Sequence, residues 1–101
     1  MTNQNYQLRF TKEAAQVLAD LAINAQYAKK PKKVNKALGQ LQRDPRYPGL
    51  HSHKYSSLHG SNNEEVWDSY VENHTPSAWR IFWHYGPGAD VLTIVTIGPH
   101  P

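Results

Sequence analysis

The sequence contains no cysteine and no long apolar run. Without cysteine there is neither a disulfide framework nor a thiolate metal site, and a reducing compartment is compatible with the chain. No apolar segment approaches the roughly 20 residues that a membrane-spanning helix needs. The polar N-terminal residues 1–5 lack the apolar core of a signal peptide. We therefore expect a cytoplasmic protein that does not associate with a membrane.

Charged residues are also few, at 19% of the 101 residues, whereas hydrophobic residues make up 39%. This composition provides enough apolar side chains for a core and too little charge for a disordered chain. The length predicts one domain spanning residues 1–101. Lysine and arginine exceed aspartate and glutamate by a net charge of +3, a small excess that is compatible with a polyanionic partner.

The N-terminal part of the chain predicts a strand followed by a helix. Residues Tyr6–Phe10 alternate apolar and polar side chains, as in a half-buried strand. Thr11 offers an N-cap oxygen, and apolar residues recur at helical spacing from Lys12 to about Ala25.

A second helix is predicted from the region of Pro31 to Asp44, because Pro45 cannot continue it. At 100° per residue, Lys32, Lys36 and Arg43 project together from the side opposite Leu38. These three residues form either a solvated helix face or a stripe that contacts phosphates.

The C-terminal half predicts strands at Val66–Glu72, Trp79–Tyr85 and Val91–Ile97, with a short extended piece at His53–Leu58 and a loop at 73–77. In the strand around Arg80, the large aromatic side chains alternate onto the face opposite the arginine. The order β-α-α-β-β-β indicates an α+β domain, in which a two-helix hairpin packs on one face of a mostly antiparallel, twisted sheet.

Several short motifs, in this order, resemble the RelE/ParE superfamily of toxins from type II toxin–antitoxin modules. The matching stretches are Leu8–Thr11, Leu38–Pro45, His53–Tyr55, Val66–Trp67, Trp79–Trp83 and Val95–His100. Each motif is short and degenerate, so the resemblance rests on their order along nearly the whole chain.

The resemblance implies a small toxin that a cognate antitoxin neutralises. In the RelE-like branch the toxin is an endoribonuclease that cuts mRNA on the ribosome, without a metal or other cofactor. The 2′-hydroxyl beside the scissile phosphate is then the nucleophile. Such an enzyme must accept the proton of that hydroxyl, neutralise charge on the phosphorane-like transition state and protonate the leaving oxygen.

The resemblance also suggests catalytic residues. Arg80 matches the arginine placed against the scissile phosphate, although it could instead pair with Glu72 across the sheet. His100 resembles a C-terminal histidine used in proton transfer, although a residue so close to a terminus could be frayed. Lys54 resembles a basic residue between the second helix and the sheet.

Three further residues are candidates for RNA binding. His53 and Tyr55 have rings that could stack on a base, with core packing as the alternative for Tyr55. His84 shares the face of Arg80 about 13 Å along the strand. A metal site formed by His51, His53 and His59 is not expected, because no acidic residue or cysteine lies close in sequence to complete it.

Two other functions stay open. A ParE-like toxin would inhibit DNA gyrase by binding alone and would not need His100. An inactive member of the fold would bind only its antitoxin or RNA. The joint presence of Arg80 and His100 favours the endonuclease.

Overall fold

The structure, a computed structural model, describes residues 5–73 and 77–100. Its elements are β1 (Gln7–Phe10), α1 (Lys12–Ile23), α2 (Lys30–Arg43), β2 (His53–His59), β3 (Glu65–Tyr70), β4 (Trp79–Tyr85) and β5 (Val91–Pro99). The predicted α+β fold is confirmed. The extended piece after α2 is a full strand, so four strands rather than three follow the helices. The predicted loop at 73–77 includes residues 74–76, which lie outside the described residues.

Both helices begin and end close to the residues that sequence signals indicate. The Thr11 side chain accepts a hydrogen bond from the Ala14 N–H at 3.1 Å and donates one to the Val95 carbonyl at 2.6 Å. Helix α1 ends at Ile23, earlier than expected, and a short 3₁₀ turn leads to α2, which ends before Asp44. No helix in the described part of the chain is long and apolar enough to cross a membrane.

The five strands form one sheet in the order β1-β5-β4-β3-β2. Strand β1 pairs parallel with β5, and the other neighbours pair antiparallel. The pairing of β4 with β5 shifts register at Val95, because Phe82 pairs with Thr96 whereas Trp83 pairs with Ile94. Val95 is thus one extra residue in β5, and it lets Ile94 and Ile97, three positions apart, both face the core.

The two helices cover one face of the sheet. The buried core cluster comprises Ala14, Leu21, Val34, Ala37, Leu38, Leu41, Leu50, Ile81, Trp83, Leu92, Ile94 and Ile97. Because strand side chains alternate, Arg80 and Phe82 face the opposite side, which we call the open face. The register places Asp68 beside Phe82 and Tyr70 beside Arg80 on that face.

The loop between α2 and β2 is tied to the sheet by a pair of hydroxyl groups, of which Ser69 is buried and Ser52 partly buried. The Ser52 and Ser69 hydroxyl oxygens lie 2.6 Å apart, and the Trp83 indole N–H donates to the Ser69 oxygen at 2.7 Å. The bonds satisfy polar groups that would be costly to bury alone. They also fix the chain immediately before His53, where β2 begins.

Candidate active site on the open face of the sheet

A fully buried carboxylate lies at the centre of the open face. Asp68 is 0% exposed and sits on β3 between strands β2 and β4. An isolated buried carboxylate is strongly unfavourable, so it requires charged or hydrogen-bonding neighbours. Asp68 has three: Arg80, His53 and His100. We call these four residues the Asp68 cluster.

Arg80 is the nearest cation to this carboxylate. Its Nη1 lies 3.4 Å from Oδ1 and 3.5 Å from Oδ2 of Asp68. Its guanidinium carbon stands 3.8 Å from the centroid of the Tyr70 ring, in a cation–π contact. Its Nε is buried and has no hydrogen-bond partner among residues 5–73 and 77–100. The guanidinium is therefore held in place by stacking and by long contacts from one nitrogen, which leaves donor capacity for an anion.

Two imidazole rings flank the same carboxylate. The Nε2 atoms of His53 and His100 lie 3.5 Å and 3.7 Å from Asp68 Oδ2. Their side chains are 49% and 41% exposed, so a molecule on the open face can reach both rings. The His53 Nδ1 also lies 2.9 Å from the His51 carbonyl oxygen. The His53 ring therefore lies between the His51 carbonyl and the Asp68 carboxylate.

The backbone of His100, just beyond β5, is anchored to the sheet. Its N–H donates to the Ala78 carbonyl at 2.9 Å, which extends the pairing of β4 with β5 by one residue. Its ring meets the Tyr55 ring edge to face, with centroids 6.2 Å apart. Tyr55 is half-buried and packs against Phe82 at a centroid distance of 5.0 Å. One wall of the site is therefore aromatic.

Lys54 lies apart from the Asp68 cluster. Alternation along β2 places Lys54 beside Trp67, on the face that carries the helices, whereas His53 pairs with Asp68 on the open face. Lys54 Nζ lies 5.8 Å from the centroid of the Trp67 ring and 3.2 Å from Glu65 Oε2. The structure does not bring this expected catalytic lysine together with Arg80.

His84 also lies outside the cluster, at the other end of β4. It is buried, its Nδ1 lies 2.8 Å from the Tyr85 carbonyl oxygen, and its Nε2 lies 3.9 Å from Glu64 Oε1. Backbone N–H groups of Glu64 and Asn62 hold the pKa of the Glu64 carboxyl below its usual range, with a smaller contribution from His84. This pair ties the loop between β2 and β3 to β4.

Lys32, Lys36 and Arg43, the basic stripe on α2, are all exposed, as the helix projection predicted. Of these three, Lys36 borders a surface groove beside the Asp68 cluster. Lys32 and Arg43 do not line that groove. The stripe therefore divides into one residue near the cluster and two on the outer surface.

Glu72, the carboxylate that the sequence offered as a partner for Arg80, has other partners. Glu72 Oε2 lies 2.8 Å from Lys30 Nζ and 3.3 Å from Lys33 Nζ, and Glu72 Oε1 accepts from the Trp79 N–H at 3.2 Å. Burial raises the pKa of Glu72, but these bonds outweigh burial and hold it below its usual range. Arg80 pairs instead with Asp68.

Asp68 and Tyr70 are the site residues that the sequence did not reveal. A single carboxylate between Trp67 and Ser69 in an apolar strand was the one available signal. Among the described residues, no group of three or more histidine, aspartate and glutamate side chains could hold a metal ion. His53 and His59 lie at opposite ends of β2, about 20 Å apart at the rise of an extended strand.

No protein-family model and no curated protein matches the sequence. Several solved structures do match along nearly the whole chain. A chain of the archaeal RelE–RelB complex from Pyrococcus horikoshii OT3 has a TM-score of 0.62 at 12% identity, covering 94% of both chains. The YoeB/ParE toxin from Agrobacterium tumefaciens has a TM-score of 0.68 at 14% identity, covering 94% of this chain and 99% of its own.

YafQ from E. coli strain BL21(DE3) is also similar, with a TM-score of 0.61 at 14% identity over 94% of this chain and 93% of its own. The common fold of these structures is that of the RelE/ParE toxin superfamily, and the present chain has this fold. At such low identities the likeness concerns the backbone, so the chemistry of the site must be argued from this chain's own residues.

Proposed function

We propose that this protein is the toxin of a type II toxin–antitoxin module and cuts mRNA as a metal-independent endoribonuclease. The proposal rests on one observation: Arg80 and two accessible imidazoles, His53 and His100, converge on the buried carboxylate of Asp68. The fold shared with RelE, YoeB and YafQ structures supports a toxin role and a protein antitoxin as partner. Ribosome-bound mRNA is the proposed substrate.

The reaction transfers the phosphoryl group within the RNA strand. The 2′-oxygen forms a bond to phosphorus while the bond from phosphorus to the 5′-oxygen breaks, which yields a 2′,3′-cyclic phosphate and a 5′-hydroxyl end. His100 accepts the proton of the 2′-hydroxyl, and His53 donates a proton to the leaving 5′-oxygen. Arg80 neutralises the charge that develops on the non-bridging oxygens.

Asp68 positions these groups and does not touch the RNA. Its charge stabilises whichever imidazole is protonated, as the buried carboxylate does in other acid–base sites. Because Asp68 also contacts Arg80, one carboxylate fixes the distance between the phosphate-binding group and both proton-transfer groups. Tyr55 offers an aromatic surface for a base beside the cleaved bond.

The test is to incubate purified protein with mRNA-programmed ribosomes and to map the new RNA ends. We expect cuts with 5′-hydroxyl and 2′,3′-cyclic phosphate ends, abolished by Arg80→Ala and by His100→Ala. Lys12→Ala, an exposed change at the start of α1, is the matched control and should cut at the normal rate. Intact mRNA together with inhibited DNA gyrase would overturn the endonuclease and favour toxicity by binding alone.

A further inference from the structure

A groove of about 430 Å³ runs along α2 beside the Asp68 cluster. Lys33, Lys36 and Gln40 line it from the helix, and His51 and Tyr70 line it from the opposite side. We call it the α2 groove. The residues assigned to cleavage above do not include Lys36 or His51, so this groove is unused by that chemistry.

The groove and the cluster share one side chain. Tyr70 lines the groove, and the same ring supports the Arg80 guanidinium at 3.8 Å. The His51 ring lies 4.9 Å from the Tyr70 ring, on the groove side. Tyr70 therefore contacts both Arg80 and His51. Through Tyr70, the groove adjoins the proposed phosphate-binding residue Arg80.

The charge of the groove is positive and concentrated at Lys36. The one carboxylate in its lining, Glu72, is neutralised by Lys30 and Lys33. Lys36 is exposed and, within residues 5–73 and 77–100, pairs with no carboxylate. A lysine beside exposed aromatic rings is the combination that binds single-stranded nucleic acid, in which the cation contacts a phosphate and the rings stack on bases.

We propose that the α2 groove binds the single-stranded RNA that adjoins the cleaved bond, with Lys36 on a backbone phosphate and His51 against a base. The inference rests on the proposed function for the class of substrate. An acidic segment of the antitoxin would also suit the charge of Lys36. The contact of Tyr70 with Arg80 and the aromatic lining favour RNA, because an acidic peptide gains little from an aromatic surface.

Binding is measured separately from cleavage. The probe is a short fluorescein-labelled RNA whose 2′-hydroxyls are all methylated, so that no nucleophile is available, and its anisotropy is followed at several salt concentrations. We expect Lys36→Glu to weaken binding about fivefold or more at physiological salt. We expect it also to reduce the slope of log affinity against log salt by about 0.7, the value for one lost phosphate contact on a single strand.

Two variants with the same charge change are the controls. Lys12→Glu, on α1, should bind like the wild type, and Lys32→Glu, on α2 but outside the groove lining, should lose less affinity than Lys36→Glu. Equal losses for Lys32→Glu and Lys36→Glu would overturn the inference, since only net charge would then matter. Normal RNA binding by Lys36→Glu with a weakened antitoxin complex would also overturn it and assign the groove to the antitoxin.

The two proposals fail in different ways. If the wild-type protein binds the methylated RNA through Lys36 but cuts no mRNA, the α2 groove proposal stands and the endonuclease proposal is wrong. If the wild-type protein cuts mRNA and Lys36→Glu binds RNA and cuts it normally, the endonuclease proposal stands and the α2 groove proposal is wrong.

Discussion

Replacing Arg80 by methionine should destabilise the protein as well as slow RNA cleavage. Methionine keeps an apolar chain against Tyr70 but removes the charge closest to the buried carboxylate of Asp68. Asp68 is 0% exposed, so water cannot replace the lost partner. The variant therefore leaves a buried charge that is only partly compensated.

The size of the effect follows from the geometry. Removing one member of a buried ion pair costs about 3–5 kcal/mol. Here Nη1 approaches the carboxylate only to 3.4–3.5 Å, and two histidines remain nearby, so we expect about 2–3 kcal/mol. In a domain of this size that loss lowers Tm by about 10–20 °C. Cleavage should fall by about 10²–10³-fold, as when a preorganised charge is removed from an anion site.

A second variant separates the two roles of the arginine. Arg80→Met combined with Asp68→Asn removes both charges, so we expect it to recover at least half of the lost stability without recovering cleavage. Urea unfolding and the rate of RNA cleavage measure the two quantities independently. A single variant as stable as the wild type, or a double variant that cleaves RNA normally, would refute the assignment of Asp68 as the buried partner of a catalytic arginine.

The remaining predictions concern proton transfer, acid stability and the loops. His53→Ala and His100→Ala should each lower the rate of mRNA cleavage about 10²–10⁴-fold. Glu72→Gln should cost about 1 kcal/mol at pH 7, measured by urea unfolding. Because the folded-state pKa of Glu72 is lowered, this difference should fade as the pH drops below 4.5, the ordinary pKa of a glutamate. Lys54→Ala should leave cleavage within about twofold of wild type, since Lys54 lies on the other face. Gly60→Ala should lower Tm, because its Cβ would meet the His84 ring at 2.8–2.9 Å.

The sequence predicted helix ends and strand faces, because both depend on residues that are close together along the chain. The hydroxyl of Thr11 and the ring of Pro45 define helix ends through chemistry within one turn. Alternation in the strand Trp79–Tyr85 correctly separated Arg80 from the core-facing Trp83, because side-chain direction in a strand has a period of two residues.

Side-chain contacts between neighbouring strands could not be predicted in the same way. The choice between Glu72 and Asp68 as partner of Arg80 depends on the register of β3 against β4, which no residue within either strand specifies alone. The same applies to β2, where alternation separates Lys54 from His53 but does not say which of them shares a face with Arg80. Asp68 was missed because its role depends entirely on residues brought together from β2, β4 and the end of β5.

The position of β5 has a consequence for synthesis of the protein. β5 lies between β1 and β4 in the sheet, although it is the last of the five strands to be translated. The bond from Thr11 to the Val95 carbonyl joins residues 84 positions apart. Contacts at such separation form late and slowly, so a nascent chain carries β1 and α1 unpaired until β5 leaves the ribosomal exit tunnel. His100 follows β5, so the Asp68 cluster is also incomplete until β5 has left the tunnel.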